Sequence, residues 1–192
     1  MSEEGTASPA IAGGRFIVLV GLMGAGKTSL GRRLAKATRL PFIDSDAEIE
    51  KAAGCSVSEI FERFGEAEFR SGERRVLERI LDGEPAVVAT GGGAFIDAAT
   101  RALIRAKGVS IWLRADLDTL VRRTKRRDDR PLLKGGNPRD VLKRLIAERY
   151  PIYGEADIIL DVDDEPVKES TERLIEQIAS FAQQAKPVSA EP

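Results

Sequence analysis

Histidine is missing from this chain altogether, and cysteine occurs once, at Cys55. Without histidine there is no His-based catalytic triad, no histidine general base and no histidine-ligated zinc. One cysteine rules out an internal disulfide and fits a reducing cytosol, with a buried, inert thiol as its expected role. Hard oxygen ligands, and hence magnesium, stay open. No apolar run approaches the ~18 residues that cross a bilayer. The start, "MSEEGTASPAIAGG", lacks the basic and apolar regions of a secretion signal. It reads as a disordered extension over residues 1–14, and residues 184–192 read as a flexible tail. A large excess of either sign of charge is also absent, because 30 basic residues face 31 acidic ones, a net charge of -1. That balance argues against general electrostatic binding to nucleic acid or membrane. A cytoplasmic monomer is the expectation.

What remains suits one domain over residues 15–183 of the 192. Short apolar runs at 15–20, 40–44, 86–90, 109–114 and 157–161 read as buried strands. Helical patterns lie between them: 27–38, two short helices at 46–54 and 56–65, then 66–83, 97–108, 116–126, 139–156 and 166–184. Ser56 with Glu59 forms a capping-box signature. Strands alternating with helices predict an α/β fold, a parallel sheet covered on both faces in three α/β/α layers. Ligands in such folds sit beyond the carboxyl ends of the strands, so the segments there carry the chemistry.

After the first strand, Gly21 to Thr28 fits G-x-x-x-x-G-K-[ST] in full. It follows a strand and opens a helix, the context in which the motif cradles a triphosphate. The backbone from Gly24 through Ala25 and Gly26, with Lys27, Thr28 and Ser29, is expected to bind ATP. Lys27 reaches the β and γ phosphates, and the Thr28 hydroxyl serves magnesium. After the second strand, "FIDSD" places Asp44 and Asp46 two apart. In an extended chain both carboxylates face one side; one suits a metal and the other a substrate, while Asp46 is also placed to cap the next helix. After the third strand, Gly91, Gly92 and Gly93 let a ligand approach bare backbone. No carboxylate ends that strand, so Asp44 is the candidate on the magnesium side.

Arg70 has Glu73 at i+3 to orient it, and Arg149 lies near the end of another helix. Each alone reads as a surface charge; converging, they would suit a carboxylate substrate. The basic segment around 122–137, "VRRTKRRDDRPLLKGG" with its flanks, carries no interleaved aromatics and reads as a mobile lid rather than a nucleic-acid patch.

Together "GLMGAGKTSLGRRLA", "FIDSD", "SVSEIFERFGEAEFRSGE", "TGGGAF", "VRRT" followed by "RPLL", and "AERYPIYGEAD" resemble shikimate kinase, within the nucleoside-monophosphate-kinase-like P-loop group. The resemblance runs from about Arg15 to Phe181. It implies transfer of the ATP γ-phosphate to the 3-hydroxyl of shikimate, a step toward chorismate and the aromatic amino acids, with Mg2+ as cofactor and ATP and shikimate as partners. It implies that Asp46 binds substrate hydroxyls and acts as base, that Arg70 and Arg149 hold the carboxylate, and that Gly92 and its neighbours offer backbone contacts. Asp44 falls on the magnesium side, Arg130 matches a lid arginine, Arg123 an adenine-stacking arginine, and Phe61 and Phe69 wall the substrate pocket. The sequence departs from the family pattern at "LDVDDEPV", which is acidic at Asp163 and Asp164 where an adenine loop is expected. A gluconate or nucleotide kinase of the same fold is the competing reading, and a catalytically degraded nucleotide-binding module a third.

Overall fold

Five strands form one all-parallel sheet in the order β2-β3-β1-β4-β5. They are β1 (Phe16–Val20), β2 (Phe42–Asp44), β3 (Val87–Ala89), β4 (Gly108–Arg114) and β5 (Ile158–Asp161). The computed structural model describes residues 14–124, 137–162 and 166–184. All but the innermost residue of each expected tail, most of the expected lid, Arg130 and the acidic pair Asp163–Asp164 lie outside the described residues.

The helices are α1 (Lys27–Thr38), α2 (Ser45–Ala53), α3 (Val57–Leu81), α4 (Ala98–Lys107), α5 (Leu117–Thr124), α6 (Pro138–Tyr153) and α7 (Val167–Gln184), with a 3-10 turn at Ala94–Ile96. They flank the sheet to give the three-layer α/β/α architecture read from the alternation of elements. No helix among the described residues is long and apolar enough to cross a membrane.

The central strands are buried on both faces, which is why they read as unbroken apolar runs rather than alternating ones. The edge strand β5 alternates, with Ile159 and Asp161 turned outward. Helix α1 seats closely on the sheet because it carries a glycine there. A Cβ on Gly31 would meet the Phe42 ring at 2.7 Å.

The expected short helix at 56–65 and its longer successor prove to be two arms of α3, which bends at Gly65 (φ 79°, ψ 176°). The first arm has the capping box: Glu59 N donates to Ser56 Oγ at 3.2 Å, and Ser56 N donates back to Glu59 Oε2 at 2.8 Å. Side chains also cap α2, α4 and α6, through Asp44, Asp97 and Asn137. Helix α1 has no capping side chain.

Candidate functional site

A cleft of about 710 Å³ opens beyond the carboxyl ends of β1, β2 and β3. Its first wall is the loop leaving β1. Gly24 and Gly26 sit at φ 85° and 96°, a conformation that only glycine adopts cheaply. Gly21 has no room for a side chain, since a Cβ would lie 2.7 Å from the Leu113 carbonyl oxygen. The loop thereby delivers the uncapped start of α1 to the cleft, where N–H groups and the helix dipole favour an anion. Lys27 Nζ is folded onto the loop, donating to Gly21 O at 2.8 Å and Leu22 O at 3.0 Å.

Gly24, Gly26, Lys27, Thr28 and Ser29 all line the cleft, and Arg123 joins them from α5. The Arg123 guanidinium lies against Gly26, 3.9 Å from where a Cβ would stand. Ala25, expected in the phosphate grip, is different: it is buried, and its N–H donates to Leu22 O inside the loop.

The acidic pair is arranged differently from the extended-chain expectation. Helix α2 begins at Ser45, so Asp44 ends the strand and Asp46 lies in the first helical turn. Asp44, not Asp46, is the cap: its Oδ1 accepts from Asp46 N at 3.2 Å. Its Oδ2 accepts from the Thr28 hydroxyl at 3.1 Å, tying β2 to the start of α1. That frees Asp46 for the cleft, where its Oδ1 is buried with no hydrogen-bond partner among the described residues. Burial, then the neighbouring Asp44 charge, pushes the Asp46 carboxyl up, with Lys27 opposing.

The three glycines after β3 do something the sequence reading did not anticipate. None has a positive φ, so the need is closeness, and it is the site's own side chains that come close. A Cβ on Gly91 would stand 2.7 Å from both Asp46 Oδ1 and Glu73 Oε1; one on Gly93 would stand 2.3 Å from the Arg70 guanidinium. Gly92 faces the phosphate loop at Gly21 and Met23, with Arg149 beyond. The segment is anchored by Gly91 N donating to Ser45 Oγ at 3.2 Å and by Gly92 O accepting from Arg149 Nη1 at 2.9 Å.

Arg70 and Arg149, from α3 and α6, both reach this cleft. Arg70 Nη1 donates to Glu73 Oε2 at 2.6 Å, and its guanidinium lies over the Phe69 ring. Phe61 and Phe69 pack with ring centroids 4.5 Å apart and line the same space. Glu73 is only 2% exposed, with Oε1 unpartnered among the described residues. Burial raises its carboxyl, and Arg70 works against that. The i+3 spacing revealed Glu73 as a partner for Arg70, but nothing in the sequence signalled its burial beside Asp46.

Across one cleft, a glycine loop that opens a helix faces two arginines, a buried carboxylate and two aromatic rings. Fold and cleft together define a P-loop kinase acting on a small anionic molecule. The family profile described as Shikimate kinase matches residues 23–179. A shikimate kinase of Paramagnetospirillum magneticum is 57% identical over 175 residues, covering 91% of this chain and 90% of that one. One from Bradyrhizobium diazoefficiens is 54% identical, covering 86% and 80%. The structure of the Acinetobacter baumannii shikimate kinase in complex with shikimate matches with a TM-score of 0.86 at 35% identity, covering 92% and 98%. The chain belongs to the shikimate kinase family and is an ATP-dependent kinase.

Proposed function

We propose that this chain transfers the γ-phosphate of ATP to the 3-hydroxyl of shikimate, giving shikimate 3-phosphate on the route to the aromatic amino acids. The observation that carries the reading is the meeting, in one cleft, of the uncapped phosphate loop with Asp46, Arg70 and Arg149. The Acinetobacter baumannii relative, described in complex with shikimate, supports the choice of acceptor.

The loop from Gly24 to Ser29 grips the phosphates, with Lys27 released from its loop carbonyls to neutralise them. Arg123 stacks on adenine. Arg70 and Arg149 hold the carboxylate in paired charge-assisted hydrogen bonds, and the Gly91–Gly93 backbone completes that side. Phe61 and Phe69 wall the ring. Asp46 accepts the proton of the attacking hydroxyl through the oxygen that has no partner among the described residues. Arg130, outside the described residues, is assigned the transferring phosphate. Phosphoryl transfer needs little covalent help, so positioning and charge neutralisation suffice without a histidine.

A metal fits this donor set. Thr28 and Asp44 present adjacent hard oxygens, and no cluster of three or more His, Cys, Asp or Glu suited to a metal occurs among the described residues. Few protein ligands, with phosphate and water completing the shell, is the manner of magnesium. Mg2+ when bound neutralises phosphate charge. The accompanying reading is of a monomer in the cytoplasm.

The test is a coupled assay of ADP release over shikimate, gluconate and nucleoside monophosphates. Turnover is expected with shikimate, and only with magnesium present. Turnover with gluconate or a nucleotide but none with shikimate overturns the reading.

A further inference from the structure

Tyr153 closes α6, four residues and about one turn after Arg149, and is wholly buried. Its hydroxyl donates to the carbonyl of Gly92. That same carbonyl accepts from Arg149 Nη1. We propose that Tyr153 is a positioning residue for the acceptor: it fixes Arg149 and the Gly92–Gly93 peptide in the geometry that receives the substrate carboxylate. The inference rests on the proposed function and deepens it.

A carbonyl oxygen has two lone pairs, and here two side chains of one helix use them. Arg149 Nη1 is held by that carbonyl, and the Arg149 side chain also hydrogen-bonds Tyr153 itself, which together orient the guanidinium at the cleft that Arg149 lines. The peptide group is planar, so pinning the Gly92 oxygen also fixes the Gly93 N–H on the opposite edge. Gly93 in turn lies against the Arg70 guanidinium. One tyrosine hydroxyl thus touches the alignment of both arginines.

The end of α6 needs such a tie. Pro151 interrupts its last turn and removes one helical N–H donor. Two tyrosine hydroxyls hold that turn to carbonyls elsewhere: Tyr153 to Gly92 after β3, and Tyr150 to Ala115 after β4. Both rings also pack, edge-on or tilted, in one aromatic group with Trp112. Burial pushes the Tyr153 hydroxyl up to about 12, against the opposing charge of Arg149, so it stays a donor at neutral pH. A buried tyrosine needs an acceptor anywhere; the shared acceptor is what separates Tyr153 from its neighbour.

That neighbour is the internal control. Tyr153→Phe and Tyr150→Phe each delete one hydroxyl from the same helix and keep the ring packing. Shikimate and ATP affinities are measured by calorimetry and steady-state kinetics for wild type, both variants, Arg149→Lys, and Arg149→Lys with Tyr153→Phe. Tyr153→Phe is expected to weaken shikimate binding about five- to tenfold, the size of one net hydrogen bond, with ATP affinity held within about twofold. Tyr150→Phe should leave shikimate affinity within about twofold at a similar loss of Tm. In the Arg149→Lys background Tyr153→Phe should add little, because its effect runs through Arg149. Unchanged shikimate affinity in Tyr153→Phe, parallel loss of both ligands, or equal effects of the two tyrosines overturns the role of Tyr153 while leaving the function standing. A wild type that neither binds nor phosphorylates shikimate overturns both.

Discussion

Gly93 carries no side chain because the Arg70 guanidinium fills that volume. Gly93→Ala therefore pushes Arg70 aside while leaving its charge intact. We expect it to raise the shikimate KM at least about tenfold and the ATP KM less than about twofold. Arg70→Ala should show the same split, and in addition lose about 2 kcal/mol of stability in urea unfolding, since it strips the buried Glu73 carboxylate of its partner. Equal loss of both affinities in either variant would mark Arg70 as structural. The comparison separates two properties that one arginine supplies here, its position over the glycine turn and its charge against Glu73.

At the scale of an element, α3 is the one whose shape the site depends on. Its first arm carries Phe61 and its second carries Phe69, Arg70 and Glu73, and the bend at Gly65 sets the angle between them. A Cβ on Gly65 would meet nothing within 4 Å, so the residue is glycine for its backbone alone. The φ and ψ there belong to a region that other residues occupy only at a cost of about 1–3 kcal/mol. Gly65→Ala should lower stability by about 2 kcal/mol on that basis, measured as a shift in the urea midpoint. Unchanged stability would show that the helix straightens freely, and the two-arm account of the pocket wall would fail. Helix α2 illustrates the opposite case, in which a side chain rather than a glycine fixes the geometry. Asp44 caps α2 and binds Thr28, joining the end of β2 to the start of α1.

Across the whole molecule, carboxylates of two kinds shape the response to pH. Backbone N–H groups hold Asp97 and Asp116 below the ordinary range, and Arg114 does the same for Asp161. A folded-state pKa below the unfolded one adds stability above the unfolded value, near pH 4, which is lost as pH falls through the folded value. Glu73 has the opposite sign. Burial raises it, so the folded state holds its proton longer and loses stability as pH rises through the raised value. Asp97→Asn keeps a capping oxygen for α4 but no longer titrates. It should leave Tm at pH 7 nearly unchanged and make the fall in Tm between about pH 4 and pH 2 shallower than in wild type. An acid profile identical to wild type would show that Asp97 contributes nothing to it.

The periodicity of the chain determined the parallel α/β order, because a strand buried on both faces must be apolar throughout and its crossover helix must not. The spacing from Gly21 to Thr28 determined the phosphate loop, because its chemistry is local: glycines, a lysine and a hydroxyl within eight consecutive residues. The resemblance of the ordered motifs to shikimate kinase made Arg70, Arg149 and Asp46 the expected partners of that loop, where each arginine alone read as a surface charge. Tertiary structure decided the rest. It gave the helix cap to Asp44 and left Asp46 for the cleft, since where β2 stops and α2 starts depends on how far the sheet extends. It buried Glu73 beside Asp46 and gave Tyr153 and Arg149 a common acceptor in Gly92. It also turned three glycines from an open backbone into a surface on which the site's own side chains rest. Most of those contacts join residues tens of positions apart, and only the packing of α2, α3 and α6 around the end of β3 brings them together.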